Sequence, residues 1–229
     1  MIIHTPAIVL KSFPYGDTSI IARCFTKEKG KISLIVKGGR SKKSSKSAQF
    51  QPLSFIEIIY THRPNRDLQV LSKANFCESW INILKDLRSV TLSMTILEIT
   101  EKTLSEEDPY PKLFSILIDV LRNYNTGDID PKLLFWYYEC ALLTHLGFRP
   151  NLDETSLPGL QLPNPNSGPN SGIILATLLA GDINALPKED ITSQDRKIIS
   201  DYLSKLLRYH FDSLENSKSI KIARKILSD

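Results

Sequence analysis

The hydrophobic pattern of this chain changes period once, near residue 77, so the two sides of that point must build different kinds of core. From Thr5 to Phe13, Thr18 to Lys27 and Lys31 to Lys37, apolar residues tend to alternate with polar ones and β-branched and aromatic types recur, the pattern of half-buried strands. In the third run Ile32, Leu34 and Val36 share one face and Lys31, Ser33 and Lys37 the other, because successive strand side chains point to opposite sides. The first three are therefore expected in the core and the second three in solvent. Pro14-Tyr15-Gly16-Asp17 and Lys27-Glu28-Lys29-Gly30 are turns short enough for hairpins. Gly38 to Gln49 has no apolar period and reads as a mobile loop. Two more strands are expected over Phe50–Thr61 and Asp67–Phe76, joined by a turn at His62 to Arg66. Five short strands in so small a space predict a closed barrel, and the five-stranded OB-fold is the leading candidate.

From Glu78 onward apolar residues recur every three to four positions, as in Trp80, Ile83, Leu84 and Leu87, which is the spacing of buried helix faces. Helices over Pro111–Tyr124 and Pro131–Leu146 begin with proline and are followed by Gly127 and Gly147. Proline, glycine and asparagine dominate residues 149–172, where neither helix nor strand is expected to persist. Helices are expected again over Ile173–Ala180, Ser193–Leu214 and Ser219–Leu227, with Asp195 suited to a first turn. The chain thus reads as an α+β multidomain protein: an OB-fold nucleic-acid-binding domain at 1–77 and an all-α helical domain at 78–229 carrying the 149–172 loop.

Charge divides at the same place. Residues 1–76 hold 13 Lys and Arg against 4 Asp and Glu, whereas residues 77–229 hold 16 against 21, so the formal net charge of +4 conceals a polarised molecule. A concentrated positive field attracts polyanions by steering and counterion release, and the usual polyanion is nucleic acid. Lys37, Arg40, Lys42, Lys43 and Lys46 crowd one Gly-Ser-rich loop beside segments carrying Arg23, Lys27, Lys29 and Lys31. These are the candidate DNA-binding residues, neutralising phosphates without reading sequence, and Tyr15 and Phe25 are candidate stacking rings if they face outward. A merely solvated basic surface is the plain alternative, and an RNA-binding OB-fold protein would share the same barrel.

Catalytic and metal chemistry find little support. The four histidines show no HxH or HExxH spacing, and Cys140 and His145, five apart on a helix, point to different faces. Neither Gly30-Lys31 nor Gly38-Gly39 completes a phosphate-loop pattern. Glu106-Glu107-Asp108 reads as a solvated linker, and Trp136-Tyr137-Tyr138 as core filling. Only Asp17, Glu28, Glu57 and Asp67 are available as carboxylates on the basic part, with no spacing that would join them around a nuclease metal. Cys24, Cys77 and Cys140 form no CxxC pair, which suits a reducing cytoplasm, and the opening residues lack the features of a signal peptide. No uncharged run is long enough to cross a bilayer.

The order Ile8-Val9-Leu10-Lys11, Tyr15-Gly16-Asp17, Phe25-Thr26, Gly30-Lys31, Val36-Lys37-Gly38-Gly39-Arg40, Gln51-Pro52-Leu53 and Arg66-Asp67-Leu68 resembles the opening of the bacterial DNA repair protein RecO family. Tyr137 to Asp153 is similar to that family's helix-then-loop segment, and Tyr209 to Leu227 to its C-terminal helices. The resemblance implies an OB-fold that binds single- and double-stranded DNA, and a helical domain that docks partner proteins. It further implies a recombination mediator that anneals complementary strands. With RecR it would help load RecA onto DNA covered by the single-stranded-DNA-binding protein, whose C-terminal tail is an expected partner. Such a protein works at the nucleoid, in the cytoplasm, and not on a membrane. Lys37, Gly38 and Arg40 match the family's basic strand-loop motif, with Gly38 supplying backbone freedom. Many members carry a four-cysteine zinc site beyond the segment matching Leu146–Asp153, but no cysteine follows Cys140 here, so no cofactor is expected. Annealing requires no active site, because a positive surface lowers repulsion between backbones and base pairing supplies specificity. Arg208, Lys218, Lys221, Arg224 and Lys225 either hold an acidic protein tail or complement helix C-termini.

Overall fold

The computed structural model describes residues 1–41, 44, 46–187 and 191–228. They form two compact units, one of Met1–Ile81 with Leu97–Ser115, the other of Asn82–Ile96 with Ile116–Asp229.

The first unit is a closed barrel of β1 (Ile2–Tyr15), β2 (Ser19–Thr26), β3 (Gly30–Val36), β4 (Phe55–Thr61) and β5 (Leu68–Glu78), in the order β1-β2-β3-β5-β4. Closure depends on the length of β1. Its first half pairs with β4, from Ile2↔Thr61 to Ile8↔Phe55, and its second with β2, to Tyr15↔Ser19. A register shift between Val9 and Lys11 marks the bulge that bends it from one neighbour to the other. β3 and β5 run parallel over Ser33↔Leu68 to Ile35↔Val70 and seal the far side. Val9, Cys24, Ile32, Leu34, Val36, Ile56, Ile58 and Tyr60 fill the interior, so the period-2 reading of β3 holds for its apolar face, and the domain is an OB-fold.

Two local readings change. The expected strand start at Phe50 is a barrel plug: a four-residue helical turn, α1 (Lys46–Gln49), precedes it and Phe50 is fully buried. The backbone at Leu53 takes a left-handed φ of 73° so that its amide donates to Val9 O and Ser54 O accepts from Val9 N, beside the β1 bulge. Lys31, expected in solvent, is 8% exposed. Residues 97–115 cover it, because Phe114 packs edge-on to Phe25 at 5.4 Å and lies 6.2 Å from Phe55. Phe25 is therefore core and cannot stack on a base, while Tyr15 is 49% exposed.

The helices are α2 (Leu87–Thr103), α3 (Pro111–Thr126), α4 (Pro131–His145), α5 (Ser171–Ala180), α6 (Ser193–His210) and α7 (Lys218–Ser228). Asp130 caps α4 by accepting from Lys132 N, with Pro131 in the first turn. α4 is buried along most of its length, and Trp136, Tyr137 and Tyr138 fill the core. α6 ends earlier than its apolar pattern suggests, since Phe211 is extended and a short 3-10 turn follows at Asp212–Leu214. Residues 149–172 contain regular structure after all: a minimal hairpin of β6 (Ser156–Leu157) and β7 (Leu160–Gln161), then a 3-10 turn at Pro165–Ser167. Side chains tether this segment. Tyr202 Oη donates to Asn151 O at 3.0 Å, Lys205 Nζ to Gln161 O at 3.0 Å, and Asn170 N to Asp195 Oδ1 at 2.8 Å.

Candidate nucleic-acid interface

The seven predicted cations among the described residues do not form one surface. Arg23 and Lys31 are drawn into an ion-pair network by the last turns of α2 and the segment that follows it. Arg23 pairs with Glu101, and Lys31 Nζ donates to Glu101 O at 2.8 Å while lying 3.7 Å from Glu106. The acidic linker is thus a strap along β3: Glu107 N donates to Lys31 O at 2.8 Å, Lys31 and Glu106 form a parallel bridge, and Glu107 Oε1 lies 3.7 Å from His62 Nδ1. Gly30 makes this approach possible, because at its φ of 65° a Cβ would collide with the Asp108 backbone. Burial pushes the Glu106 carboxyl above its ordinary value, against the pull of Lys31 and Arg23.

The accessible cations lie at the two ends of the β2–β3 hairpin, roughly 20 Å apart for strands of seven or eight residues. At one end Lys27 is exposed and Lys29 half-buried, its backbone amide donating to Thr26 Oγ1 at 3.1 Å. At the other, Lys37 and Arg40 are exposed and Lys46 half-buried. Here the chain leaves β3 through Gly38 at φ 66° and folds back on the β1–β2 turn. Arg40 N donates to Thr18 O at 2.8 Å, Arg40 Nη1 to Gly16 O at 3.1 Å, and Lys46 Nζ to Lys37 O at 3.3 Å. Tyr15 closes the same turn. Lys42 and Lys43 lie outside the described residues.

Arg63 and Arg66 belong beside Lys37 and were missed from sequence. Both are exposed on the β4–β5 turn and share with Lys37 the lining of one cavity, together with Thr61 and Gln69. The string His62-Arg63-Pro64-Asn65-Arg66 announced a turn, but its proximity to Lys37 arises from the parallel β3–β5 pairing, a long-range contact that no local pattern reveals.

Among the described residues no three His, Cys, Asp or Glu side chains converge as a metal site. Cys24 and Cys140 are buried, the Cys24 thiol pushed up to about 12 by burial, while Cys77 is exposed. In the helical unit Lys218, Lys221 and Lys225 are exposed along α7, whereas Arg224 is half-buried and its guanidinium is held below its ordinary value by burial and by Arg208. No helix among the described residues is long and apolar enough to cross a membrane.

Parts of both units match known proteins. Residues 1–80 match the family model described as Recombination protein O N terminal, and residues 84–175 match Recombination protein O C terminal. The DNA repair protein RecO of Salinibacter ruber is 28% identical over 245 residues, covering 98% of this chain and 94% of the relative. That of Chlorobium limicola is 25% identical over 260 residues, with all of both chains covered. That of Exiguobacterium sibiricum is 30% identical over 159 residues, 69% of this chain and 63% of the relative.

Proposed function

This chain belongs to the recombination protein O family, whose role is DNA repair and recombination, and from that premise we propose that it is a recombination mediator that binds single- and double-stranded DNA through its barrel and anneals complementary strands. In this reading it acts at the nucleoid in the cytoplasm with RecR, helping RecA load onto DNA covered by the single-stranded-DNA-binding protein. The observation that carries the DNA-binding step is the group of Lys37, Arg40, Arg63 and Arg66. All four are exposed on the OB-fold, and none has a carboxylate within salt-bridge distance among the described residues.

Unpaired cations on a rigid rim neutralise phosphates and release their counterions, which lowers the cost of bringing two strands together. Tyr15, exposed beside Gly16, offers a ring face to an unstacked base. The protein breaks no covalent bond in this scheme, and neither a catalytic residue nor a cofactor enters it. The exposed lysines of α7 supply a basic face suited to the acidic C-terminal tail of the single-stranded-DNA-binding protein.

The test is annealing of complementary oligonucleotides by purified protein, without nucleotide or metal, across a salt series. Wild type should accelerate annealing, and Lys37→Ala/Arg40→Ala should lose most of that acceleration. No acceleration by folded wild-type protein would remove the annealing role.

A further inference from the structure

The rim holds a more specific feature than a basic surface. A cavity of about 340 Å³ is lined by Lys37, Arg63 and Arg66 together with Thr61 and Gln69, and no acid lines it among the described residues. A neighbouring cavity of about 370 Å³ shares Arg66 but also holds Asp67, Glu106 and Glu107. Arg23 lines that second cavity too, so its three acids face two arginines and an anion is favoured on the Lys37 side of Arg66.

The turn that carries the arginines is held in place. Arg66 N donates to Arg63 O at 3.1 Å, closing a β-turn with Pro64 at the position proline favours. Gln69, 2% exposed on β5, latches that turn from below. Its Oε1 accepts from Arg63 N at 2.8 Å, and its Nε2 donates to Arg63 O at 3.0 Å and to Arg66 O at 2.6 Å. A turn fixed in this way loses little backbone freedom on binding, and the two planar guanidinium forks it carries suit the oxygens of a phosphate.

Resting on the nucleic-acid reading above, we propose that Lys37, Arg63 and Arg66 form a preorganised pocket that holds a single phosphate group of a DNA strand. Gln69 is its positioning residue, and the acidic strap around Glu106 and Glu107 bounds it. The phosphate comes either from an internal phosphodiester, with one charge, or from a strand-end monoester, whose charge at neutral pH is about −1.5 to −2.

The experiment is fluorescence anisotropy with two single strands of one sequence, one ending in a 5′-hydroxyl and one in a 5′-phosphate. Wild type, Arg63→Ala/Arg66→Ala and Lys37→Ala/Arg40→Ala are compared over a salt series, with thermal melting as the check on folding. Losing both arginines should weaken binding and make the slope of log affinity against log salt shallower by about 0.7, the share of one phosphate on a single strand. An equal loss on both strands assigns the pocket to an internal phosphate. A several-fold preference of wild type for the 5′-phosphate, abolished in the arginine variant, assigns it to a strand end. An arginine variant with wild-type affinity and slope, alongside a weakened Lys37→Ala/Arg40→Ala, overturns the pocket and leaves the DNA-binding reading intact. Absence of binding by wild type overturns both.

Discussion

Replacing Glu139 with glutamine should flatten the pH dependence of stability in the helical unit. Glu139 lies on α4 and is only 3% exposed, and burial pushes its carboxyl up from 4.5 to about 8, with Arg224 pulling the other way. Because the folded value lies above the unfolded one, the folded state binds the extra proton. The associated stability is complete below the unfolded value of 4.5 and is lost as pH rises through about 8. Between pH 5 and pH 8 the wild type should lose about 3–4 kcal/mol from this group, on the scale of about 1.4 kcal/mol per pH unit. For a chain of this size that corresponds to a fall in melting temperature of roughly 10 °C that Glu139→Gln should not share. Melting of both proteins by circular dichroism at pH 5, 6.5 and 8 reads the difference directly. Parallel curves would refute the reasoning and mean that Glu139 stays ionised inside the fold.

Three other outcomes follow from the packing. Lys31→Met should destabilise the barrel by about 1–3 kcal/mol in urea unfolding, since it leaves the Glu101 carbonyl and the Glu106 carboxylate without their cation. Gly30→Ala should cost more than about 1 kcal/mol, because it needs a left-handed φ and meets the Asp108 backbone; faster amide exchange of Glu107 would show the strap loosened. Asp195→Ala should cost about 1–2 kcal/mol in the same denaturation assay, because that carboxylate completes the capping box with Thr192 and also anchors Asn170.

The elements themselves were legible because their signals are local. The alternation of Ile32, Leu34 and Val36 gave a buried strand face, and Pro131 with Gly147 bounded a helix that runs to His145. What sequence did not disclose depends on distant partners. Lys31 alternates as a solvent residue should, yet Glu101 and Glu106, some seventy positions later, cover and pair it. Phe25 sits in a strand whose outer face meets Phe114 and not solvent. Residues 149–172 look structureless by composition, yet the Asp195 carboxylate and the Tyr202 and Lys205 side chains of α6 hold their backbone. Net charge located the basic surface, but only the fold separates cations already matched by acids from those left open. The same fold brings Arg63 and Arg66 to Lys37.

That separation supplies the most direct test of the account. Single-stranded DNA affinity should be measured over a salt series for wild type, Lys37→Ala/Arg40→Ala and the folded fraction of Lys31→Met. The account predicts a slope shallower by at least about 0.7 for the double variant, from the phosphate Arg40 meets and the one Lys37 shares with Arg63 and Arg66, and a wild-type slope for Lys31→Met, whose lysine faces Glu101 and Glu106. A wild-type slope in the double variant, or a shallower slope in Lys31→Met, would contradict it.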